Sequence, residues 1–486
     1  MITRAAERVQ RSLYDNAEHL AFIAGERSLT FDAVKVQSLS LSQALRDLGV
    51  VSGDAIMICL SDSVDAMLSY LACWWLGATP MIVDFRLRPS ERRELAKIAG
   101  ISLTLETRST KVSNSYKSAV WDDRWLFTPV DPNLSSPDLE KNRPAAFSLS
   151  SGTTGKPKVY VQSHKVLDRR IMARRFSVEP GKTRLLTPMM LSFSATRHLV
   201  LDFLCGGGCI LFEPPLFSAS ELAERLVSTK VNATALAPSV IHALLREIGP
   251  RKAPFFANLE MMRSVGGPAS PEDKVAAYRY LTPGYRMSYS SGLTGPIARL
   301  GGTDVLERPD SVGRPVEQAR VTIVDPETLA PLPTGEKGLI RVASDTVVER
   351  VIAPIGQTAE RFGRGWGIPG DIGVLDDAGY LSIIGREADM IVRGGVNVAP
   401  QELERVLLAA EGVAEVAVAG IDDVELGQEI AAFFVSNLDE VELHKICMRL
   451  CTPDRRPRII KKVASLPLNA GGKLQRALLA KQLDTQ

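Results

Sequence analysis

Apolar and polar positions between residues 28 and 100 switch repeatedly between a helical period and short unbroken apolar runs. Residues 28–48 predict a helix opened by Ser28-Leu29-Thr30, and residues 55–60 predict a buried strand. Residues 66–83 carry no charge and are nearly long enough to span a bilayer. Gly77 and Pro80 divide them into a helix over 66–76 and a strand at Met81-Ile82-Val83, the pattern of a buried helix–strand unit, so no membrane span is expected. A third helix follows over 89–99, whereas 107–143 are polar and irregular and read as a surface excursion. Beyond residue 158 the alternation resumes, with strands at 184–188, 209–212 and 233–236 and helices at 196–204, 219–229 and 238–248. Such alternation predicts parallel sheets covered by helices. From about 311 the strands shorten and turns multiply, and from 400 a helix, two strands and a helix make a unit of small-domain size.

The expected class is therefore α/β: a large N-terminal domain over 1–386 with a β-rich subdomain near 311–384, and a small mobile α+β C-terminal domain over 387–486. The net charge of +2 gives no basic field for nucleic acid, so small molecules are the expected partners. Cys59, Cys73, Cys205, Cys209, Cys447 and Cys451 have no Cys-x-x-Cys spacing and no nearby histidine cluster, so no metal site is expected. The charged start Arg4-Ala5-Ala6-Glu7 is unlike a secretory leader, which makes a cytoplasmic location the expectation.

Candidate chemistry concentrates in Ser150-Ser151-Gly152-Thr153-Thr154-Gly155-Lys156-Pro157-Lys158. Glycines let backbone N–H groups approach an anion, while hydroxyl and ammonium groups complete its shell. Two residues separate Gly152 from Gly155, so this is not the loop of P-loop NTPases. A polar hairpin would use the same residues, but the apolar Ala145-Ala146-Phe147 reads as a strand feeding a phosphate loop. Val265-Gly266-Gly267-Pro268 and Ser290-Ser291-Gly292-Leu293-Thr294-Gly295 also place glycines after predicted strands, where doubly wound sheets hold ligands.

Together with that loop, Gly370-Asp371-Ile372-Gly373, Gly385-Arg386-Glu387-Ala388-Asp389, Gly394-Gly395-Val396-Asn397-Val398 and Gly472-Lys473-Leu474-Gln475-Arg476 resemble the adenylate-forming superfamily. That group includes acyl-CoA and aryl-CoA synthetases, luciferases and peptide-synthetase adenylation domains. The resemblance implies ATP and Mg2+ as cofactors, an acyl-adenylate intermediate, and coenzyme A as acceptor. It implies that residues 150–155, Lys158, Gly267, Ser291, Gly292, Asp371 and Arg386 hold nucleotide. Lys473 and Thr294 would serve adenylation, and Gly394 and Gly395 would meet the thiol. A lone lysine there is usually just solvated, but the position of Lys473 after Leu466-Pro467-Leu468-Asn469 and before Arg476, as in the family, favours catalysis. His164 falls where the family commonly has histidine, with a catalytic and a packed core role equally open.

Departures accompany the matches. Ser291 stands where an aromatic is usual, Gly295 where a glutamate is usual, Ala388 at the hinge, and Val159 where glycine is usual. Phe193 and Ser194, with Gly266, align with the family's substrate pocket, and Ser194 replaces an aspartate that binds amino-acid substrates. A hydroxyl compensates a buried ammonium poorly, so an α-amino acid is disfavoured. Arg197 and His198 could bind a second carboxylate, or could simply be exposed by a turn of helix. A small carboxylic acid and CoA are the expected partners. A separate carrier protein as acceptor, or a nucleotide- or acyl-binding homologue without catalysis, remains the alternative.

Overall fold

The computed structural model describes residues 4–107, 117–131, 142–149, 158–173, 176–214, 218–352, 361–468, 474–476 and 478–479. The apolar run at 55–83 builds the first layer. Ala55–Cys59 pairs in parallel with Thr79–Ile82 and Leu103–Glu106, and Ser118–Val120 closes the four-stranded sheet. Ser63–Leu76 is the intervening helix, capped by Asp62 and stopped by Gly77 at φ 73°. All but one of its residues are buried, and the Trp74 indole N–H donates to the Ala145 carbonyl, so this uncharged stretch is core. Among the described residues no helix is long and apolar enough to cross a membrane. Among the described residues of the polar 107–143 segment, Ser118–Val120 is an edge strand and Asp123–Phe127 a short turn of helix.

A nine-stranded sheet forms the second layer. Leu20–Ala24, Cys209–Phe212, Arg184–Thr187, Ala233–Leu236, Met261–Ser264 and Tyr285–Ser291 run parallel. Antiparallel partners close both ends: Arg27–Thr30 at one, Gly295–Gly301 and Arg314–Pro315 at the other. Residues 28–30 thus finish a hairpin instead of opening a helix. Leu29 is buried opposite Phe22, and Thr30 becomes the N-cap of Phe31–Asp47 by accepting from the Ala33 N–H. After Arg184–Thr187 the chain goes first to one neighbour, Cys209–Phe212, and then to the other, Ala233–Leu236. This reversal opens a crevice at the carboxyl ends of the strands.

The β-rich region is a six-stranded sheet that includes Ala319–Val324, Gly338–Ser344, Asp371–Leu375 and Leu381–Arg386. The C-terminal unit has its own five-stranded sheet, with Gly427–Ser436 paired to Val413–Asp423, Ile391–Arg393 and Ile459–Lys462, and its own apolar core around Leu407, Phe434 and Leu443. It meets the rest of the chain through the Lys337–Glu402 ion pair, at the start of Gly338–Ser344, and the Asp310–Arg405 ion pair, in the loop before Arg314–Pro315, both 2.9 Å.

Candidate active site

Residues 150–157 and Lys473 lie outside the described residues, but the frame of the phosphate loop is described. Pro144–Leu149 and Val159–Ser163 are antiparallel and in register at Leu149 and Val159, so the loop is a hairpin connection ending at Lys158. Val159 is fully buried, which explains a branched side chain where glycine is usual.

Beside this hairpin the carboxyl ends of three parallel strands converge. Gly266 follows Met261–Ser264 with φ 99°, a conformation glycine adopts freely. A Cβ there would lie 4.0 Å from the Met189 methyl, and one on Gly267 would lie 3.8 Å from Pro238. Met189 and Pro238 follow the strands on either side of the reversal, so both glycines face the crevice where such sheets bind ligands.

Residues 291–295 form a tight turn between antiparallel strands. The Ser291 hydroxyl accepts from the Thr294 N–H and lies 2.9 Å from the Thr294 hydroxyl. Thr294 is fully buried, with its hydroxyl engaged inside the turn. Two groups invisible to motif reading fix this turn. Arg170, from the helix His164–Met172, donates to the carbonyls of Gly292, Leu293 and Thr346 at 3.1, 3.0 and 2.8 Å. The Tyr160 ring lies against Gly292, where a Cβ would come within 2.6 Å. The signal for Arg170 was an arginine within the buried stripe Val166, Leu167 and Ile171. Gly295 has φ 80°, and a Cβ there would sit 2.9 Å from the Thr346 hydroxyl and 3.1 Å from Arg170 Nε. A side chain at 295 would therefore start against Thr346 and beside the Arg170 guanidinium.

Asp371 begins a strand of the β-rich sheet, is buried, and is register-paired with Arg386. Its Oδ1 accepts from Arg386 Nε at 3.0 Å and its Oδ2 from the Tyr289 hydroxyl at 2.5 Å. Burial and the Asp371 charge hold the Tyr289 phenol protonated, far above its ordinary range. Each carboxylate oxygen keeps a lone pair for a further donor.

Three expectations change. His164 opens its helix inside the core, with its ring 5.9 Å from the Trp74 ring and Nδ1 without a hydrogen bond. Desolvation, then the charges of Arg4 and Arg143, press its pKa down to about 4, so it stays neutral and packed. Arg197 is buried and donates to the carbonyls of Leu191, Ser192 and Phe147, which commits it to shaping the loop before Phe193 and Ser194. His198 is buried too, its Nε2 3.1 Å from the Gln162 side-chain oxygen, and Gln162 donates to Ser148. Neither is an exposed ligand for a second carboxylate. Gly394 and Gly395 form the two-residue turn between Ile391–Arg393 and Val396–Val398, both at positive φ, as a tight hairpin requires.

A glycine-lined crevice at the strand ends thus lies beside the hairpin Pro144–Leu149/Val159–Ser163, and a buried carboxylate is oriented by Tyr289 and Arg386. Residues 9–350 match the model for AMP-binding enzymes and 402–473 the model for their C-terminal domain, so the chain belongs to the AMP-binding enzyme family. The 2-succinylbenzoate–CoA ligase of Bacillus licheniformis is 25% identical over 470 residues, which cover 94% of this chain and 96% of the relative. The sulfoacetate–CoA ligase of Cupriavidus necator is 26% identical over 478 residues, covering 93% and 92%. The o-succinylbenzoate CoA synthetase of Bacillus subtilis shares the fold, at 22% identity over 97% of both chains. Its complex with an acyl-adenylate superposes with a TM-score of 0.86, and its complex with ATP and magnesium with 0.85.

Proposed function

We propose that this AMP-binding enzyme activates a carboxylic acid with ATP, forming an acyl-adenylate and pyrophosphate, and then passes the acyl group to the thiol of coenzyme A with release of AMP. The carrying observation is Asp371: a buried carboxylate fixed by Tyr289 and Arg386, with one lone pair on each oxygen left for the two hydroxyls of a ribose. Gly266–Gly267 and the Ser291–Gly292 turn flank the place for the base, and the Tyr160 ring supplies an aromatic surface next to Gly292 in place of the one missing at 291. The hydroxyls and amides of 150–155, with Lys158, surround the phosphates. Phe193 and Ser194 border the acid, and Thr294 sets the turn that faces it.

Magnesium supplies charge neutralisation of the triphosphate. With glycine at 295, where a carboxylate is usual, this turn would offer the ion no side-chain ligand, and phosphate oxygens and water would hold it, as is common for this ion. Lys473 stabilises charge as pyrophosphate leaves. The C-terminal domain then turns about residues 385–388, exchanging Lys473 for the Gly394–Gly395 turn at the site of thiol attack.

The test separates the two halves. Lys473→Ala should lower ATP–pyrophosphate exchange by a hundred- to thousandfold, yet leave CoA transfer from a supplied acyl-adenylate within a fewfold of the parent. A parallel fall of both steps would remove the assignment. Supplying purified carrier proteins beside CoA reads the acceptor directly.

A further inference from the structure

We infer that Arg393 is a positioning residue for thiol transfer: clamped by Glu429 and the Asp454 carbonyl, it fixes the Gly394–Gly395 turn that the acceptor thiol meets. The inference rests on the acid-activating reading above, which puts that turn at the site of attack, and adds what holds the turn in place.

The turn stands out from its domain. Gly394, Gly395, Val396 and Asn397 are exposed, and the strands on either side, Ile391–Arg393 and Val396–Val398, pair over three positions. A hairpin of that size is marginal on its own, and glycine at both turn positions adds backbone freedom. Ile391–Arg393 joins Gly427–Ser436 at the register pair of Arg393 with Gly427, so the root of the turn is where rigidity has to enter.

Arg393 supplies it from inside the domain. It immediately precedes Gly394, and both it and Glu429 are buried. Its Nε lies 2.8 Å from Glu429 Oε1 and its Nη2 donates to Oε2 at 3.1 Å, so the guanidinium faces both carboxylate oxygens. Nη1 donates to the Asp454 carbonyl at 3.1 Å. Glu429 is fixed in turn by the N–H of Ile430, a residue of the domain's apolar core, which donates to Oε1 at 2.7 Å. The Gly394 N–H then donates to the Leu426 carbonyl at 2.8 Å. A planar guanidinium that meets a carboxylate with two arms sets direction as well as distance, which an ammonium does not.

Precision at this point has a kinetic value. A displacement of about 1 Å in a group that positions a reactant costs on the order of a hundredfold in rate. On the reading above adenylation uses Lys473 and not this turn, so the clamp acts on the transfer half alone.

The experiment compares the parent with Arg393→Met, Arg393→Lys and the double variant Arg393→Met/Glu429→Met. In the first, the exposed Arg458, with Nε 3.7 Å from Glu429 Oε2, still faces the carboxylate. The double variant removes the buried charges together and guards against a misfolded domain. In both Met variants, deuterium uptake over residues 391–398 should quicken about tenfold or more, while the helix Glu440–Leu450 of the same domain keeps its rate. The kcat for CoA transfer from supplied hexanoyl- or benzoyl-adenylate should fall about tenfold or more, with ATP–pyrophosphate exchange within about threefold of the parent. Arg393→Lys should fall between. Unchanged uptake at 391–398, transfer preserved despite faster uptake, or a parallel fall of both half-reactions in the double variant would overturn the inference and leave the ligase reading intact. Gly395→Val checks the turn directly: undiminished transfer in that variant would remove the turn from the thiol site, and the inference with it, while adenylation stands. A parent that neither exchanges pyrophosphate with any acid nor transfers from either adenylate would sink the ligase reading and the inference together.

Discussion

Arg170 and Arg405 each tie one structural unit to another, and they do so under opposite conditions. Arg170 is fully buried and gives its hydrogen bonds to three backbone carbonyls on two segments that border the crevice. Arg405, on the C-terminal domain, is exposed and meets Asp310, also exposed, in the loop before Arg314–Pro315. Removing a donor from buried carbonyls strands each of them at about 1–3 kcal/mol, whereas an exposed ion pair contributes about 0.2–1 kcal/mol. The 291–295 turn is therefore held by far costlier contacts than the seat of the C-terminal domain.

The largest way to break this contrast is Arg170→Met. It should destabilise the protein by on the order of 4 kcal/mol in chemical denaturation and abolish ATP–pyrophosphate exchange. An unchanged denaturation midpoint would show that the clamp contributes nothing.

His164 tests the same buried body through pH. Its folded pKa of about 4 lies below its ordinary 6.5, so the unfolded chain binds the proton first. Its contribution is full above about pH 6.5 and disappears as pH falls toward 4, a total of about 3 kcal/mol. A His164→Leu variant should show a flatter stability curve over that window, and an identical curve would contradict the packed assignment.

Gly295→Glu should cost about 2 kcal/mol, because a side chain at φ 80° is strained and its Cβ meets Thr346. Magnesium dependence should not change, since the added carboxylate arrives beside Arg170. A gain in metal affinity would mean that the turn opens to the phosphates. Smallest of all, Lys337→Ala and Arg405→Ala should each change stability by no more than about 1 kcal/mol. Both should nevertheless speed proteolytic cleavage near residues 385–390, releasing a fragment of roughly the last hundred residues, the size of a small domain.

The parallel frame was legible because its strands and helices are locally patterned: 55–60, 233–236 and 238–248 read correctly from periodicity alone. The opening hairpin was not, because Leu20–Ala24 finds its parallel partner only at Cys209–Phe212, and local propensity carries no trace of that pairing. Glycine turns and Asp371 stood out as motifs. Arg170, Tyr160 and Tyr289 did not, since each acts through a contact with a segment more than eighty residues away. Arg197 looked like a surface or pocket cation for the converse reason: nothing in its neighbours in sequence announces that carbonyls at 147 and 191–192 will accept from it.

The pairing of Phe22 with Ile210 also governs how the molecule comes into being. At about 5–20 residues per second, translation leaves the first hairpin waiting roughly ten to forty seconds for its partner strand to leave the ribosome. During that interval Leu20-Ala21-Phe22-Ile23-Ala24 is an apolar strand with an open edge. The nascent chain is most vulnerable to misassociation there, and a chaperone that captures short apolar strands would act on this protein before its nucleotide site exists.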